Sequence, residues 1–596
     1  MDLQDALRGA TAATGQVLDV TLPVIADEGF ALEGVELRYS SPEACLTLRG
    51  AGPFRFVDCR FTHEGSEAPT LVVLDGARAE FVGCRFVGAN GGTEEALACA
   101  VALQGASDAV LRDCAFEDND LHLEASGESS LRVLGTQMAA ARADAVRLGD
   151  TVRATFSSCE LVESGWSGLV LSGSAVADVG GSRLSGNGCH GVAAGDSARL
   201  QCSGNSFTGN RQHGVLLTGK AVFASREDHL AANDLCGLDG SESSQCLLVE
   251  TESYGNESHG LQLRGQAGAV LRGCRLGDNE GSGLALFDET QASAFRLVAE
   301  ANSLNGVQSA GASRLNLDSS EVLGNYSSGL ACFGTSRSTV EGCTLGGSQG
   351  YAVQMSEECR LMMSACQLSD NRKGGLLLAN EALAMVDGTT VNDNGLHGVA
   401  VSDNAQLTLQ SCEVRSNARD GVLLLGEGPY QVTRCQLLSN GRHGLFAVSA
   451  RPVLSDNVAR ENVIEQVLVE NARAMSMERA PSLEEPAGVT LTTETGQTMH
   501  LPFQPKPIEE SMLMALLRHG RLTEAALGRA AKSRRVGGAM ENLIDRLNKA
   551  GMPVLRHEGD GPEGNVYALK LDTSRVRQVP GSRATDAVVM NAAEAV

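Results

Sequence analysis

Five histidines stand directly before a glycine, at multiples of a 23-residue interval: His190, His213, His259, His397 and His443. Imidazole nitrogen is a common metal ligand, so His190 and His213, one interval apart, could together hold a metal ion. No Cys-x-x-Cys pair accompanies them, and the same position elsewhere holds Ser, Cys, Asn, Tyr, Gly or Asp. This variety is typical of a turn. We therefore predict a structural role for these histidines and no metal site or cofactor.

A glycine follows each of these histidines because glycine itself recurs at a 23-residue interval from Gly168 to Gly444, with an alanine only at position 352. An asparagine lies four positions before nearly every such glycine. A fixed period of this size is the signature of a solenoid. The asparagines are Asn187, Asn210, Asn233, Asn256, Asn279, Asn302, Asn325, Asn371, Asn394, Asn417 and Asn440.

Within one repeat, apolar and polar residues alternate over short runs. After Gly398, Val399 and Val401 alternate with polar or small residues, and Leu407 and Leu409 do the same after a short turn. Alternation with a period of two predicts strands. A 23-residue unit leaves no room for a long helix between strands, so each strand must pair with its equivalent one repeat away.

Such stacking explains the two marker residues. Equivalent side chains lie above one another, so inward asparagines can bond from coil to coil in a ladder. The glycine permits a tight or positive-φ corner where a side chain would collide. We therefore predict that the eleven asparagines are structural and that none of them is catalytic.

The repeat Asn-x-x-x-Gly-apolar-x-apolar resembles that of the right-handed parallel β-helix family, the superfamily of pectate lyases. The resemblance implies a mainly β solenoid with 23-residue coils over residues 1–472. We expect residues 1–50 to form the first coils and an N-terminal cap, which includes a short α-helix at residues 3–13. Residues 51–472 are expected to form the rest of the β-helix. About 17 coils are expected, roughly 80 Å in length at the spacing of paired strands.

The β-helix family includes polysaccharide lyases, epimerases and polygalacturonase-like hydrolases. The Asn-Thr-Asp, Asp-Asp and Arg-Ile-Lys motifs of those hydrolases and the Asp-Pro-His-Glu motif of alginate epimerases are missing from this sequence. A single tryptophan, Trp166, and six tyrosines offer few surfaces on which a sugar could stack. We therefore expect no enzymatic activity. The alternative is a divergent carbohydrate-active lyase or epimerase, which acids and an arginine on consecutive coils would support.

The C-terminal fifth of the chain differs in composition. Prolines at 481, 486, 502, 505 and 507 indicate a linker over residues 473–507. Residues 508–572 show helical periodicity at 509–518, 524–534 and 538–550, followed by two strand-like runs. Three helices and a hairpin resemble a small α+β winged-helix domain. Residues 573–596 are predicted to be a disordered tail.

The winged-helix segment offers candidate contacts to a partner protein or to nucleic acid. Residues 508–572 hold ten Lys and Arg against nine Asp and Glu, which favours a protein partner over DNA because DNA binding depends on cationic contacts. A DNA-binding regulator remains a third hypothesis. The candidate residues are Arg529, Lys532, Arg534, Arg535, Arg546 and Lys549.

Charge and cysteine content indicate the compartment. No targeting segment or membrane span is visible, and 17 cysteines without an export signal suggest reduced thiols in a cytoplasm. We interpret the net charge of −25 as a feature that keeps the protein soluble. The acidic residues do not obviously concentrate at a single position of the repeat. The sequence thus predicts a cytoplasmic, non-enzymatic scaffold or binding protein, in which the shaft presents the winged helix to a protein partner and no membrane is bound. The oligomeric state is left open.

Overall fold

The computed structural model describes residues 15–470, apart from 42, 51, 64–69, 93–96 and 449, together with residue 3 and short stretches between 489 and 590. The chain divides into two compact units, Met1–Ala474 and Met475–Val596. The helix predicted at residues 3–13 lies, except for residue 3, outside the described residues.

The first unit consists of three long parallel sheets, which each coil visits in the order sheet 1, sheet 2, sheet 3. The strands of sheet 1 are Val17–Val20, Glu36–Tyr39, Arg60–His63, Arg85–Val87, Ala115–Glu117, Gln137–Ala139, Glu160–Val162, Arg183–Ser185, Ser206–Thr208, His229–Ala231, Glu252–Tyr254, Arg275–Gly277, Val298–Glu300, Glu321–Leu323, Thr344–Gly346, Gln367–Ser369, Thr390–Asn392, Glu413–Arg415, Gln436–Leu438 and Val458–Arg460. The strands of sheet 2 are Val24–Ala26, Leu46–Arg49, Val72–Asp75, Cys99–Gln104, Leu121–Ala125, Val146–Leu148, Leu169–Leu171, Val192–Ala194, Val215–Leu217, Leu238–Gly240, Leu261–Leu263, Leu284–Leu286, Val307–Ser309, Leu330–Cys332, Tyr351–Met355, Gly374–Leu378, Val399–Val401, Val422–Leu425, Leu445–Val448 and Val467–Glu470. The strands of sheet 3 are Ala31–Glu33, Pro53–Val57, Arg78–Val82, Asp108–Arg112, Ser130–Leu134, Arg153–Ser157, Val176–Gly180, Arg199–Ser203, Val222–Arg226, Gln245–Val249, Gly268–Arg272, Gln291–Phe295, Arg314–Asp318, Arg337–Glu341, Arg360–Ser364, Leu383–Asp387, Gln406–Gln410, Tyr430–Thr433 and Val453–Ser455.

The register between coils confirms the prediction of a parallel β-helix. Val399 pairs with Val422 in sheet 2, one repeat later. The described part of the shaft has 20 strands in each of sheets 1 and 2 and 19 in sheet 3. The sequence suggested fewer coils because the first ones depart from the repeat length and carry no repeat glycine. Val72 pairs with Val101, for example, which is more than one regular repeat away.

Alternate side chains of most strands in the first unit point into a long core that runs along the shaft. In the irregular first coils the core is aromatic, with Phe61, Phe86 and Phe116 stacked at centroid distances of 4.5 and 4.6 Å. In the regular coils, leucine, valine and cysteine fill the same space. All 17 cysteines are free thiols. Because the side chains of this core are stacked, the position of each outward-facing residue along the shaft axis is set by the coil that carries it.

A ladder of buried asparagines stabilises the corner between sheets 1 and 2. The backbone N–H and the Nδ2 of Asn210 donate to Oδ1 of Asn233 at 3.1 and 2.9 Å, and Nδ2 also donates to the carbonyl of Leu184 at 3.2 Å. The same three bonds recur at the other ladder residues from Asn187 to Asn302 and from Asn371 to Asn440. Because each amide is bonded, its burial carries no unsatisfied donor.

The repeat glycine is required by close packing rather than by its backbone angles. None of the glycines from Gly168 to Gly444 in this column has a positive φ. A Cβ on Gly191 would instead lie 2.6 Å from the carbonyl oxygen of Gly214 and 3.1 Å from Nδ2 of Asn210. The glycine therefore makes room for the next coil and its ladder asparagine.

The corner between sheets 2 and 3 alternates between glycine and an acidic residue. Gly173 N–H donates to Oδ2 of Asp196 at 2.7 Å, whereas a Cβ on Gly173 would lie 3.0 Å from the backbone of Asp150. Some of the acids thus do form a column, which the sequence analysis did not expect. The alternating residues, all at positive φ, are Gly127, Asp150, Gly173, Asp196, Gly219, Glu242, Gly265, Asp288 and Gly311.

The second unit contains short antiparallel strands. Strands Val489–Thr492 and Thr498–Leu501 pair with each other, and Gly564–Leu569 pairs with both Arg521–Thr523 and Leu555–Gly561. Strands Val576–Arg577 and Val589–Met590 form a further pair. The three helices predicted between 509 and 550 fall almost wholly outside the described residues, so the winged-helix assignment is not supported.

Candidate active site

A column of residues lies in the turn that leads into sheet 2, at 23-residue intervals from position 144 to position 443. Many of these side chains accept a hydrogen bond from the backbone of the next coil. The Nδ1 atoms of His190, His213 and His259 accept such N–H groups at 3.3, 3.2 and 2.9 Å. Since Nδ1 is the acceptor, Nε2 carries the proton in each neutral ring. We call these residues the turn column.

Three turn-column histidines, His190, His213 and His259, are held in the neutral form. Burial first, and then the neighbouring His213, lower the pKa of His190 to about 4. Burial also lowers the pKa of His259 and of His213, although the Asp239 carboxylate opposes the change at both. A neutral imidazole with Nε2–H is a hydrogen-bond donor that adds no charge to its surroundings.

Asp239 departs from the repeat on the outer face of sheet 2. It occupies the middle of the strand Leu238–Gly240, in register with Leu216 and Gln262 on the neighbouring coils. Its side chain is 1% exposed. A buried carboxylate requires charged or hydrogen-bonding partners, because an isolated one is costly in free energy.

Three side chains from the two adjacent coils supply those partners. Arg264 Nη2 lies 2.5 Å from Oδ2 of Asp239, and Nε2 of His213 lies 3.6 Å from the same oxygen. Gln262 Nε2 donates to Oδ1 at 3.2 Å. We call His213, Asp239, Gln262 and Arg264 the Asp239 cluster. The Arg264 side chain remains 50% exposed, so solvent and solutes can reach its guanidinium.

A second carboxylate–arginine pair lies on the same sheet. Arg147 Nε donates to Oδ2 of Asp144 at 2.8 Å, and Oδ1 of Asp144 accepts the backbone N–H of Ser167 at 2.8 Å. The guanidinium carbon of Arg147 lies 5.4 Å from the ring centroid of Trp166. We call Asp144, Arg147 and Trp166 the Trp166 cluster.

A third carboxylate, Asp420, is enclosed by neighbouring residues of the turn column. Oδ1 of Asp420 accepts the backbone N–H and Nδ1–H of His443 at 3.1 and 2.7 Å, and Oδ2 lies 3.1 Å from Nδ1 of His397. Burial alone would raise the pKa of Asp420, but the bonds from His397 and His443 lower it below the usual value. Arg442 is the cation paired with it, at 4.0 Å. This arrangement is a closed structural element rather than an open site.

Of the residues that the sequence singled out, His213 belongs to the Asp239 cluster and Trp166 to the Trp166 cluster. The asparagine ladder lies inside the wall of the shaft. Arg529, Lys532, Arg534, Arg535, Arg546 and Lys549 lie outside the described residues. In the part of the chain that the structure describes, no group of three or more His, Cys, Asp or Glu side chains could hold a metal ion. Among the same residues, no helix is long and apolar enough to span a bilayer.

Sequence reasoning missed the Asp239 cluster for an identifiable reason. Its members come from three successive coils and form no contiguous motif. The available signal was the aspartate at a position where the adjacent coils carry Leu216 and Gln262 and several further coils carry alanine. Alignment of every coil on its repeat glycine would have revealed it.

The family of the chain follows from a sequence model of its repeats. The model described as "Right handed beta helix region" matches residues 167–314 and 305–464, which together cover half of the chain. The chain belongs to the right-handed β-helix family. No curated protein matches the sequence.

Solved structures similar to this β-helix chain include two kinds of epimerase and a lyase. The periplasmic alginate epimerase AlgG is 10% identical over 67% of this chain and 80% of its own, with a TM-score of 0.24. The A-module of the Azotobacter vinelandii mannuronan C-5 epimerase AlgE6 is 13% identical over 72% and 90%, with a TM-score of 0.21. Pectate lyase Pel9A is 11% identical over 56% and 78%, with a TM-score of 0.22.

These comparisons contradict the expectation that the chain is not an enzyme, because the similar structures are those of enzymes. That expectation was wrong. It relied on missing hydrolase and epimerase motifs, and a site dispersed over several coils leaves no such motif. At these identities and TM-scores no particular activity transfers to this chain, so its function must be derived from the Asp239 cluster.

Proposed function

We propose that this β-helix protein is a carbohydrate-active lyase or epimerase that acts on uronate-containing glycans at the Asp239 cluster. The observation that carries the proposal is the contact between the buried carboxylate of Asp239 and the half-exposed guanidinium of Arg264, with His213 facing the same oxygen. A carboxylate, a cation and a neutral N–H donor on consecutive coils are the groups that proton removal next to a carboxylate requires.

Arg264 is the group that would engage the substrate. Its guanidinium can pair with a sugar carboxylate and spread the negative charge that develops there when the adjacent C–H bond breaks. The Nε2–H of His213 is a second donor for that charge. A neutral histidine suits this role because it polarises an oxygen without giving up a proton.

Asp239 is the proposed proton acceptor. While Arg264 is bound to Asp239, its guanidinium occupies Oδ2 of the carboxylate. When Arg264 turns toward a substrate carboxylate, that oxygen is free to accept the proton. Substrate binding would therefore unmask the base. The proton leaves the carbon next to the sugar carboxylate, and its electron pair enters that carboxylate. In an epimerase, a proton from water is added to the opposite face. In a lyase, the bond to the glycosidic oxygen breaks as the double bond forms, and the released oxygen takes a proton from water to become a hydroxyl group.

Proton exchange tests this function with one readout for both reactions. The protein is incubated in heavy water with polymannuronate, polyguluronate, polygalacturonate or neutral dextran, and proton NMR follows loss of the signal from the carbon next to the carboxylate. Ultraviolet absorbance detects an unsaturated product. We expect exchange with at least one uronate polymer and none with dextran.

Two variants and one matched control locate the reaction. Asp239→Asn should lower the exchange rate about 10²- to 10⁴-fold, the usual effect of losing a general base. Arg264→Ala should lower it about 10²- to 10³-fold. Arg275→Ala removes an arginine that pairs with Glu300 on sheet 1 and should leave the rate unchanged. Absence of exchange with every uronate polymer in the wild-type protein would refute the proposal.

A further inference from the structure

Trp166 is the only tryptophan of the chain, and its side chain is 40% exposed. It lies in the turn before the strand Leu169–Leu171, on the coil that follows Arg147. An indole that is not packed into the core presents a flat face, and the apolar faces of sugar rings stack on such surfaces. The tryptophan is thus exposed at the edge of the sheet that carries the Asp239 cluster, next to Arg147.

The arginine beside it is oriented by a buried anchor. Asp144 is 7% exposed and is held by the backbone N–H of Ser167, so its position is fixed. Arg147 uses only Nε to reach Asp144. Among the described residues, its two terminal nitrogens have no acceptor within hydrogen-bonding distance. An anchored guanidinium with free N–H groups is preorganised to bind a carboxylate in two-pronged fashion.

The Trp166 cluster and the Asp239 cluster are aligned along the shaft. Register connects Arg147 through Val170, Ala193 and Leu216 to Asp239, so these two residues are four coils apart. Four coils correspond to roughly 19 Å at the spacing of paired strands. The three intervening side chains are uncharged and partly exposed. A linear polymer can cross them without meeting a charge.

We infer that the Trp166 cluster is a second glycan-binding subsite, which holds a uronate of the same polymer by stacking on Trp166 and by pairing its carboxylate with Arg147. The inference rests on the proposed function. It adds that the substrate is a polymer long enough to contact both clusters, and it gives the direction of that polymer relative to the shaft. A 1,4-linked uronate is about as long as a coil is high, so the substrate runs parallel to the shaft axis. The net charge of −25 repels a polyanion elsewhere and confines it to the face that carries the two arginines.

Affinity electrophoresis of the full chain in gels containing polymannuronate, polyguluronate, polygalacturonate or dextran tests the subsite. We expect the apparent Kd for the polyuronate that retards the wild type to rise at least tenfold in Trp166→Ala and in Arg147→Ala. The apparent Kd of Trp166→Phe should lie between those of the wild type and Trp166→Ala. Tyr254→Ala is the matched control, since Tyr254 is an aromatic of similar exposure, 43%, on sheet 1. It should migrate like the wild type. Far-ultraviolet circular dichroism checks that each variant folds.

Three results would overturn the subsite: equal migration of the wild type, Trp166→Ala and Arg147→Ala; no retardation of the wild type by any polyuronate; or retardation by single-stranded RNA that depends on Trp166 as strongly. Exchange on a uronate disaccharide, too short to reach from Trp166 to Asp239, separates the two proposals. If the proposed function holds, the disaccharide exchanges equally in the wild type and in Trp166→Ala. If only the subsite holds, polymer binding depends on Trp166 and no exchange occurs.

Discussion

The Nδ2 of Asn210 donates to Oδ1 of Asn233 at 2.9 Å, and the backbone N–H of Asn210 shares that oxygen at 3.1 Å. One side-chain oxygen thus satisfies two buried donors of the preceding coil. Because the bond repeats along the shaft, each asparagine supports the coil before it and depends on the coil after it.

Replacing Asn233 by alanine should destabilise the shaft by about 2–4 kcal/mol, because two buried donors of Asn210 lose their acceptor and each costs about 1–3 kcal/mol. Urea denaturation followed by circular dichroism measures the change. Asn316→Ala, at an exposed position of sheet 3, is the control and should change stability by less than about 0.5 kcal/mol. Equal effects of the two substitutions would contradict the ladder.

Two substitutions, Gly191→Ala and Gly204→Ala, distinguish a glycine required by close packing from a glycine required by a positive φ. At Gly191 the new Cβ would lie 2.6 Å from the Gly214 carbonyl, so a loss of about 1–3 kcal/mol or more is expected from overpacking. Gly204 has a φ of 65° and nothing within 4 Å of its Cβ, so only backbone strain of about 1–2 kcal/mol is expected. A larger loss at Gly204 than at Gly191 would show that packing is not the reason for the repeat glycine.

The fold could be predicted from the sequence because each marker residue serves the coil itself. Asparagine recurs at the repeat position of Asn210, and glycine recurs at the repeat position of Gly191. The strands around Val399 could be predicted because apolar and polar residues alternate there along the sequence. The reason for the glycine was not accessible, since the sequence cannot distinguish a positive φ from a collision with the next coil. Nor does it show that Arg264 reaches back to Asp239, because side chains on neighbouring strands of the shaft meet only in three dimensions.

Asp239→Leu should abolish activity while leaving the free energy of unfolding unchanged or raised by about 1–2 kcal/mol. Leucine is the residue that the adjacent coil carries at this position, and replacing a buried ion pair by a packed apolar residue is often neutral or stabilising. Arg264, half exposed, can be solvated after the change. Urea denaturation and the exchange assay measure the two effects. A loss of more than about 3 kcal/mol would mean that the pair is structural.

Stability should fall between pH 6.5 and pH 4 because the pKa of His190 is lowered in the folded chain. The folded pKa of His190 is about 4, below the 6.5 of an unperturbed histidine, so the unfolded chain binds the extra proton first. The stabilisation is complete above pH 6.5 and is lost as the pH falls toward 4, by roughly 1–3 kcal/mol for this residue. Urea denaturation at several pH values measures the loss, and His190→Asn should reduce it. An unchanged pH profile in that variant would contradict the assignment.

Thiol labelling of the folded protein should modify about two of the 17 cysteines rapidly. Cys45 and Cys189 are partly exposed, and the other cysteines are buried in the core. Ellman's reagent in the absence and presence of urea counts both classes. Cys189→Ser should remove one rapidly reacting thiol, whereas Cys274→Ser should change only the count in urea. Rapid labelling of many thiols would indicate a shaft that opens readily.

The alternation of glycine and acid from Gly127 to Gly311 makes two coils, not one, the natural module of this region. Excising a single coil there would break the alternation, whereas excising a pair of coils would preserve it. The alternation ends where Gly334 follows Gly311, so the corner also accepts two glycines in succession.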